Sequence, residues 1–247
     1  MKVFPKINIG LKVLRKRPDG YHDLETLFYP CKAYCDELEI ERTDAFSISI
    51  DHCDWDPQKD LTVKAYALLA EEFALPPVSI RLQKGIPVGA GLGGGSADAA
   101  AALKLLNGMF SLGLDAAALA ARAATLGSDC AFFVYDGPMF GEGRGEILTP
   151  FALDLSAYEI RVAIPESVRV STKEAYAGVS PCGVSNLRQI LSRPVEAWRD
   201  VLENDFEKSV FTTHPEIPAL KEQFYDDGAV YAAMSGSGSA VFGLFRR

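Results

Sequence analysis

The sequence has no long apolar run and no excess of positive charge, and each absence excludes a class of protein. No stretch of 18 apolar residues occurs in the 247-residue chain, so we predict no membrane-spanning helix. Lys and Arg number 25 against 33 Asp and Glu, and this net charge of −8 argues against a surface that binds nucleic acid. The first residues enter a predicted strand and leave no room for a signal peptide, so we expect a cytoplasmic protein.

Cysteines are few and irregularly spaced. There are five, at positions 31, 35, 53, 130 and 182, and an odd number at such spacing is not typical of a disulfide framework. A zinc site would have to combine Cys31 and Cys35 with His52 or Cys53, but no C-x₂-C pair supports one. We therefore expect free thiols and no metal held by cysteine.

Glycine, in contrast, is concentrated in one segment, residues 87–103. Five of its first nine residues are glycine, and an alanine-rich run with high helix propensity follows from near Ser96. Glycine lets backbone N–H groups converge, and the free N–H groups at a helix start attract anions. The segment therefore predicts a loop that holds phosphate.

Three other interpretations fit this segment less well. Residues 89–94 match the dinucleotide pattern G-x-G-x-x-G, but Gly85 and Pro87 separate them from the strand predicted at 78–82, which disfavours an oxidoreductase. A P-loop would need lysine where Gly95 stands. A plain tight turn would not need so many glycines.

The rest of the chain interleaves strands and helices, which predicts an α+β protein of two lobes. Residues 6–14 alternate apolar and polar, so we expect a strand with Lys6 and Asn8 on its polar face and a turn at 18–20. Residues 137–145 are expected to form a loop. Further strands are expected at 37–41, 46–50, 78–82, 160–164, 229–234 and 240–245. Helices are expected after the N-cap Asp60, at 96–108 and 115–126, and at about 172–177, 185–191, 195–203 and 216–226.

Several motifs in combination resemble the GHMP family of small-metabolite kinases, which includes galactokinase, homoserine kinase and mevalonate kinase. The motifs are Gly-Gly-Gly-Ser-Ala-Asp at 93–98, Pro5–Asn8, Pro18–His22, Gly127–Asp129, Ser235–Ser239, and Asn204–Glu207 with His214-Pro215. The resemblance spans essentially the whole chain. It implies the two-lobed GHMP kinase fold, with an N-terminal ATP-binding α/β domain over residues 1–152 and a smaller C-terminal, ferredoxin-like α+β domain over residues 153–247.

The resemblance also implies ATP and Mg²⁺ as cofactors. Asp129 would accept the proton of a substrate hydroxyl, and Lys6 would stabilise the charge of the transferred phosphoryl group. Taken alone, a strand lysine is usually solvated and an aspartate after Gly-Ser is often only a helix cap. Ser96 is a possible Mg²⁺ ligand. ATP is expected to contact Pro87, Gly89, Gly91, Gly93, Gly94, Gly95 and Ser96.

Within the family, the chain is most similar to a member that acts on a cytidylyl substrate in the non-mevalonate isoprenoid route. Tyr21 and His22 match a pair that contacts the cytosine ring, Tyr176 matches a second aromatic residue at that base, and Asn8 is also expected to bind substrate. An aromatic face beside a ring-edge donor or acceptor suits a nucleobase.

Three alternatives remain at this stage. One is a kinase of the same family that acts on mevalonate, phosphomevalonate or homoserine, against which the Tyr-His pair after Pro-Asp-Gly argues. The second is a catalytically silent nucleotide-binding protein, which would be expected to have lost Lys6 or Asp129. The third is the dinucleotide-dependent oxidoreductase, which the context of the loop disfavours. The expected partner is a small-molecule cytidylyl substrate, with no nucleic acid or membrane partner, and the expected state is a monomer or weak homodimer.

Overall fold

The computed structural model describes residues 1–166 and 168–247, and within these residues the chain forms eleven strands and seven α-helices. The strands are β1 (Lys2–Val3), β2 (Lys6–Lys16), β3 (His22–Pro30), β4 (Asp36–Arg42), β5 (Ser47–Asp51), β6 (Val78–Gln83), β7 (Met139–Glu142), β8 (Ile147–Pro150), β9 (Tyr158–Ala163), β10 (Tyr231–Met234) and β11 (Val241–Arg246). The helices are α1 (Leu61–Phe73), α2 (Gly94–Phe110), α3 (Ala116–Leu126), α4 (Thr172–Ala177), α5 (Leu187–Leu191), α6 (Glu207–Thr213) and α7 (Glu216–Asp226). The predicted α+β class is confirmed.

The chain divides into two compact units whose segments interleave along the sequence. The first unit consists of Met1–Pro5, Tyr34–Val88 and Gly93–Asp136, and the second of Lys6–Ala33, Gly89–Leu92 and Gly137–Arg247. A domain boundary at residue 152 stays a prediction, because compact units of this kind are a different division of the chain from family domains.

The first unit is built from a four-stranded sheet and three helices. The sheet has the order β1-β4-β6-β5, with β5 parallel to β6 and the other pairs antiparallel. Helix α2 packs against α1, α3 and β4, and it buries a nearly continuous run of small residues, 97–102, which allows close approach. Leu38, Leu69, Ile80 and Leu103 are fully buried in this unit.

The second unit contains two antiparallel sheets. One has the order β2-β3-β7-β8, and the other has the order β10-β11-β9 with α7 packed on β10 and β11. Apolar residues of α7, Ile217 and Phe224, share a buried cluster with Met234 and Val241. This packing fixes the strand ends from which the turn at 235–239 leaves.

Three local expectations are wrong. Helix α2 continues through Gly108 to Phe110, because Ser111 takes the left-handed conformation that ends the helix. Residues 137–145 contain β7 rather than only a loop; a Cβ at Gly141 would lie 2.5 Å from Phe28, so this glycine serves close packing inside a sheet. The helix expected over 195–203 is only a short 3₁₀ turn at Val195–Ala197, and α6 was not anticipated.

Among the helices of the described residues, none combines the length and the apolar character needed to cross a membrane.

The first prediction concerns the cap of α1. The Asp60 carboxylate accepts hydrogen bonds from the Thr62 N–H (2.9 Å) and the Trp55 indole (3.2 Å). Asp60→Ala should lower the free energy of unfolding by about 1 kcal/mol, measured by urea denaturation. Asp56→Ala is the control, because exposed Asp56 caps only a three-residue 3₁₀ turn, and its effect should stay within about 0.5 kcal/mol. Equal losses in the free energy of unfolding for the two variants would contradict the role of Asp60 as the cap of α1.

Candidate active site

Lys6 and Asn8 stand together at the start of β2 in the second unit. Both are buried, with 2% and 3% of their surface exposed, so Lys6 is not the solvated lysine that is usual on the polar face of a strand. The Lys6 ammonium donates to the Asn8 amide oxygen (2.5 Å) and to the Gly91 carbonyl (2.9 Å), and the Lys6 N–H donates to the Leu92 carbonyl (3.1 Å). These acceptors fix the direction of a buried cation.

Residues 89–92 of the glycine-rich segment are held by hydrogen bonds to their carbonyl groups. The Gly91 carbonyl also accepts from the Ser235 hydroxyl (3.0 Å), and the Ala90 carbonyl accepts from the Ala240 N–H (3.1 Å). Gly91 has φ +79°, and a Cβ there would lie 2.1 Å from the Ser235 carbonyl oxygen. Glycine is therefore required at 91 for close backbone approach as well as for conformation.

The following residues of this segment, 93–96, belong to the first unit and begin α2. Gly93 is the N-cap with φ +72°, and no side chain caps the helix. The first N–H groups of a helix have no intrahelical partner and carry the positive end of its dipole. This uncapped start of a 17-residue helix fits a phosphate group. Gly95 is exposed at this start, and Ser96 is half-buried.

The two remaining residues predicted to bind ATP precede this turn. Pro87 is half-buried in the first unit, and Gly89 is exposed in the second with φ +73° and open space where a Cβ would lie.

Asp129 lies on a tight turn just after α3, in the first unit. The Cys130 N–H donates to the Gly127 carbonyl (3.1 Å), and Asp129 itself is half-buried. The neighbouring Cys130 thiol is buried and forms a side-chain hydrogen bond with Ser96; burial, only partly offset by that bond, raises the pKa of Cys130 to about 11. The Ser96–Cys130 contact thus brings the turn that carries Asp129 beside the start of α2.

A buried ionic cluster, Asp36–Lys84–Asp98, lies in the same unit and was missed from the sequence. The Lys84 ammonium bonds to both carboxylates, at 2.7 Å for Asp98, and Asp36 also accepts from the N–H groups of Gly85 (2.6 Å) and Ile86 (2.7 Å). Burial raises the pKa of Asp98 to about 7 despite the nearby ammonium. The sequence signal that could have found the cluster is a single aspartate inside an alanine-rich helix.

The three aromatic residues predicted to bind a base lie in the second unit. His22 stacks on Tyr176, with ring centroids 4.8 Å apart, and Tyr176 meets Phe206 edge-on at the same distance. Tyr21 is 54% exposed, and the Arg144 guanidinium lies 4.9 Å from its ring. Burial, with a contribution from the charge of Lys16, lowers the pKa of His22, which favours the neutral form of its ring.

The structure thus joins Lys6, Asn8 and Gly91 in one hydrogen-bonded group and His22 with Tyr176 in one stack. It brings Gly93–Ser96 together with the Asp129 turn in the other unit. Of the described residues, no set of three or more His, Cys, Asp or Glu side chains is arranged to hold a metal ion, so the structure adds no ligand to Ser96. The roles of these residues stay predictions.

Comparison with known proteins gives a consistent picture. The family model described as GHMP kinases N terminal domain matches residues 60–137, and the model described as GHMP kinases C terminal matches residues 186–247. A protein of Bacteroides thetaiotaomicron named 4-diphosphocytidyl-2-C-methyl-D-erythritol kinase is 50% identical over 254 residues, covering 99% of this chain and 92% of the relative.

Solved structures agree with these sequence matches. A crystal structure of 4-(cytidine 5'-diphospho)-2C-methyl-D-erythritol kinase is 34% identical with a TM-score of 0.83, covering 99% of this chain and 90% of that one. The structure of a homoserine kinase from Cytophaga hutchinsonii has a TM-score of 0.68 at 16% identity, covering 100% and 85%, and shares the fold.

The second prediction separates two glycines of the same segment. Gly89→Ala meets open space, so only its left-handed backbone is strained, and it should lower the free energy of unfolding by about 1–2 kcal/mol. Gly91→Ala should cost more, because its Cβ meets the Ser235 carbonyl at 2.1 Å. Urea denaturation of the two variants measures the difference. Equal destabilisation would show that the close approach at Gly91 is not required.

Proposed function

The chain belongs to the GHMP kinase family, and from that membership we propose that it transfers the γ-phosphate of ATP to the 2-hydroxyl of 4-diphosphocytidyl-2-C-methyl-D-erythritol. This reaction belongs to the non-mevalonate isoprenoid route. The observation that carries the proposal is the uncapped start of α2, preceded by glycines with positive φ at 89, 91 and 93. Relatives that carry this substrate in their names, at up to 50% identity over nearly the full chain, support the choice of substrate.

The phosphate groups of ATP would be bound at the start of α2. The N–H groups of Gly94, Gly95 and Ser96 occupy the first turn, where no intrahelical acceptor exists, and the positive end of the helix dipole favours anions. Mg²⁺ would arrive with the nucleotide and neutralise phosphate charge, since Mg²⁺ is commonly bound by phosphates, water and one or two protein groups. The Ser96 hydroxyl is the protein group we propose for it.

The chemical step needs positioning and charge stabilisation rather than covalent help. We assign Asp129 as the acceptor of the hydroxyl proton and Lys6 as the cation that stabilises the phosphoryl oxygens. The Lys6 ammonium has three N–H donors, and its bonds to Asn8 and Gly91 restrict where it points. The contact of Ser96 with Cys130, the residue after Asp129, supports the placing of Asp129 next to bound phosphate.

The cytosine ring would be recognised by Tyr21, His22 and Tyr176. A neutral His22 offers one donor and one acceptor to the edge of a base, and the exposed Tyr21 ring offers a face for stacking. One face of Tyr176 already meets His22, so Tyr176 also holds the His22 ring in place.

The test of this function is a phosphate-transfer assay with purified protein and ATP. The acceptor panel is the cytidylyl substrate, mevalonate, phosphomevalonate and homoserine. We expect turnover with the cytidylyl substrate and little with the others. Faster turnover of mevalonate would leave the family correct and the proposed substrate wrong.

The third prediction tests the two proposed catalytic residues. Lys6→Met and Asp129→Asn should each lower kcat by about 10²–10⁴-fold, the range for a lost acid–base or charge-stabilising group. Lys2→Met, at an exposed lysine of β1, and Asp136→Asn, whose side chain is 98% exposed, are the matched controls and should retain activity. Because Lys6 is buried, melting curves are needed to show that its variant is folded. Near-normal kcat in either folded variant would remove that residue from the mechanism.

The fourth prediction tests the base pocket. Stacking of a base on an aromatic ring is worth about 1–3 kcal/mol, so Tyr21→Ala should raise KM for the cytidylyl substrate by roughly 5- to 150-fold. His22→Ala should act in the same direction, while KM for ATP stays nearly constant. Tyr21→Phe keeps the ring face and should stay close to the unsubstituted protein. A rise confined to KM for ATP would show that these residues do not contact the cytidylyl group.

A further inference from the structure

The segment Glu203–Glu207 holds the turn that follows β10 through the side chains of Asn204 and Glu207. Asn204 is 1% exposed, and its amide nitrogen donates to the carbonyls of Met234 and Gly236, both at 2.8 Å. Its amide oxygen accepts from the Phe206 N–H (3.0 Å). Glu207 accepts from the Met234 N–H (2.8 Å). The two N–H donors of the Asn204 amide therefore bond to the backbone carbonyls on either side of Ser235.

The same segment is attached to β2. The Asp205 carboxylate accepts from the Val13 N–H (2.9 Å) and the Lys12 ammonium (2.9 Å), and the Asp205 N–H donates to the Leu11 carbonyl (2.9 Å). In return, the Leu11 N–H donates to the Glu203 carbonyl (3.0 Å). The 203–207 segment is thus a bridge between the strand that carries Lys6 and the 235–239 turn.

Ser235 lies between the two residues bonded by Asn204, and it contacts two of the groups that hold Lys6. Its hydroxyl accepts from the Asn8 N–H (3.1 Å) and donates to the Gly91 carbonyl (3.0 Å). The Lys6 ammonium bonds to the same Gly91 carbonyl and to the Asn8 side chain. A shift of Ser235 would therefore move two groups that accept hydrogen bonds from the Lys6 ammonium.

We propose that Asn204 is a positioning residue for phosphoryl transfer, acting through Ser235 on Gly91 and Asn8 and thereby on the ammonium of Lys6. The proposal rests on the proposed function, in which Lys6 stabilises the transferred phosphoryl group. A carboxamide suits the task because one NH₂ group supplies two donors to two carbonyls whose residues flank Ser235. Aspartate has the same shape but would direct oxygen lone pairs at those carbonyls.

The experiment compares Asn204→Ala with Tyr231→Phe. Tyr231 lies on β10 and is buried, and its hydroxyl donates to the Leu202 carbonyl (3.1 Å), so its variant removes a buried hydrogen bond without touching the 235–239 turn. Asn204→Ala should lower kcat about 10- to 100-fold, since a shift of about 1 Å in a positioned group can cost about 10²-fold. KM for the cytidylyl substrate should change less than about threefold, and Tyr231→Phe should keep kcat within about twofold. If kcat per folded molecule falls equally in both variants, Asn204 has only a structural role.

A double-substitution cycle tests the route through Ser235. If Asn204 acts through that hydroxyl, Asn204→Ala should reduce kcat much less in a Ser235→Ala background than alone. If the fold-losses of kcat in the two single variants multiply in the double variant, Asn204 does not act through Ser235.

Hydrogen exchange provides a readout that does not depend on activity. The Asn8 N–H donates to the Ser235 hydroxyl, so its exchange should be faster in Asn204→Ala than in Tyr231→Phe. Equal protection of Asn8 in the two variants would contradict the coupling. If the unsubstituted protein fails to phosphorylate the cytidylyl substrate, the proposed function fails, and this measurement still decides whether Asn204 positions the Ser235 turn.

A second variant keeps the proposal testable if Asn204→Ala does not fold. Should Asn204→Ala fail to fold, Ser235→Ala tests the other end of the same chain of contacts. A loss of kcat with an unchanged KM for the cytidylyl substrate supports the proposal, and full activity with a normal melting curve overturns it.

Discussion

The carbonyl group of Gly91 is the point on which the second unit's polar site depends. It accepts hydrogen bonds from the Lys6 ammonium and from the Ser235 hydroxyl, and its residue has no space for a side chain. A buried ammonium is costly unless acceptors replace its water, so this carbonyl and the Asn8 amide make the position of Lys6 tolerable. Residue 91 must therefore be glycine so that its carbonyl can lie within hydrogen-bonding distance of Lys6 and Ser235.

The first unit also contains a buried ammonium, that of Lys84, and two carboxylates stabilise it. Lys84 lies between two buried carboxylates, and although burial opposes its charged form, Asp98 and Asp36 outweigh that effect and raise the pKa of the Lys84 ammonium. Asp36 also binds the N–H groups of Gly85 and Ile86, which lead into the glycine-rich segment. The geometry at the start of α2 is therefore set by buried ionic contacts, as well as by the conformational freedom of glycine.

The two units carry separable parts of the proposed reaction. In that proposal, the start of α2 and the Asp129 turn, joined by the Ser96–Cys130 contact, would supply anion binding and a carboxylate. Lys6 and the His22–Tyr176 stack would supply a cation and a surface for a base. The chain's membership of the GHMP kinase family is the reason to assign both sets of groups to one phosphoryl transfer.

Local pattern in the sequence determined the strand predicted over 6–14 and the cap at Asp60, because each depends on neighbouring residues. Phosphate binding by the glycine-rich segment stays a prediction. The motifs together also determined the family. The alternation put Lys6 on a polar strand face, where lysine is usually solvated, and only the tertiary structure showed that Lys6 is buried. Its acceptor Gly91 is 85 residues away, and Ser235 is 227 residues from Asn8. Periodicity reports which residues share a face of a strand, but burial of that face depends on distant segments that periodicity does not encode.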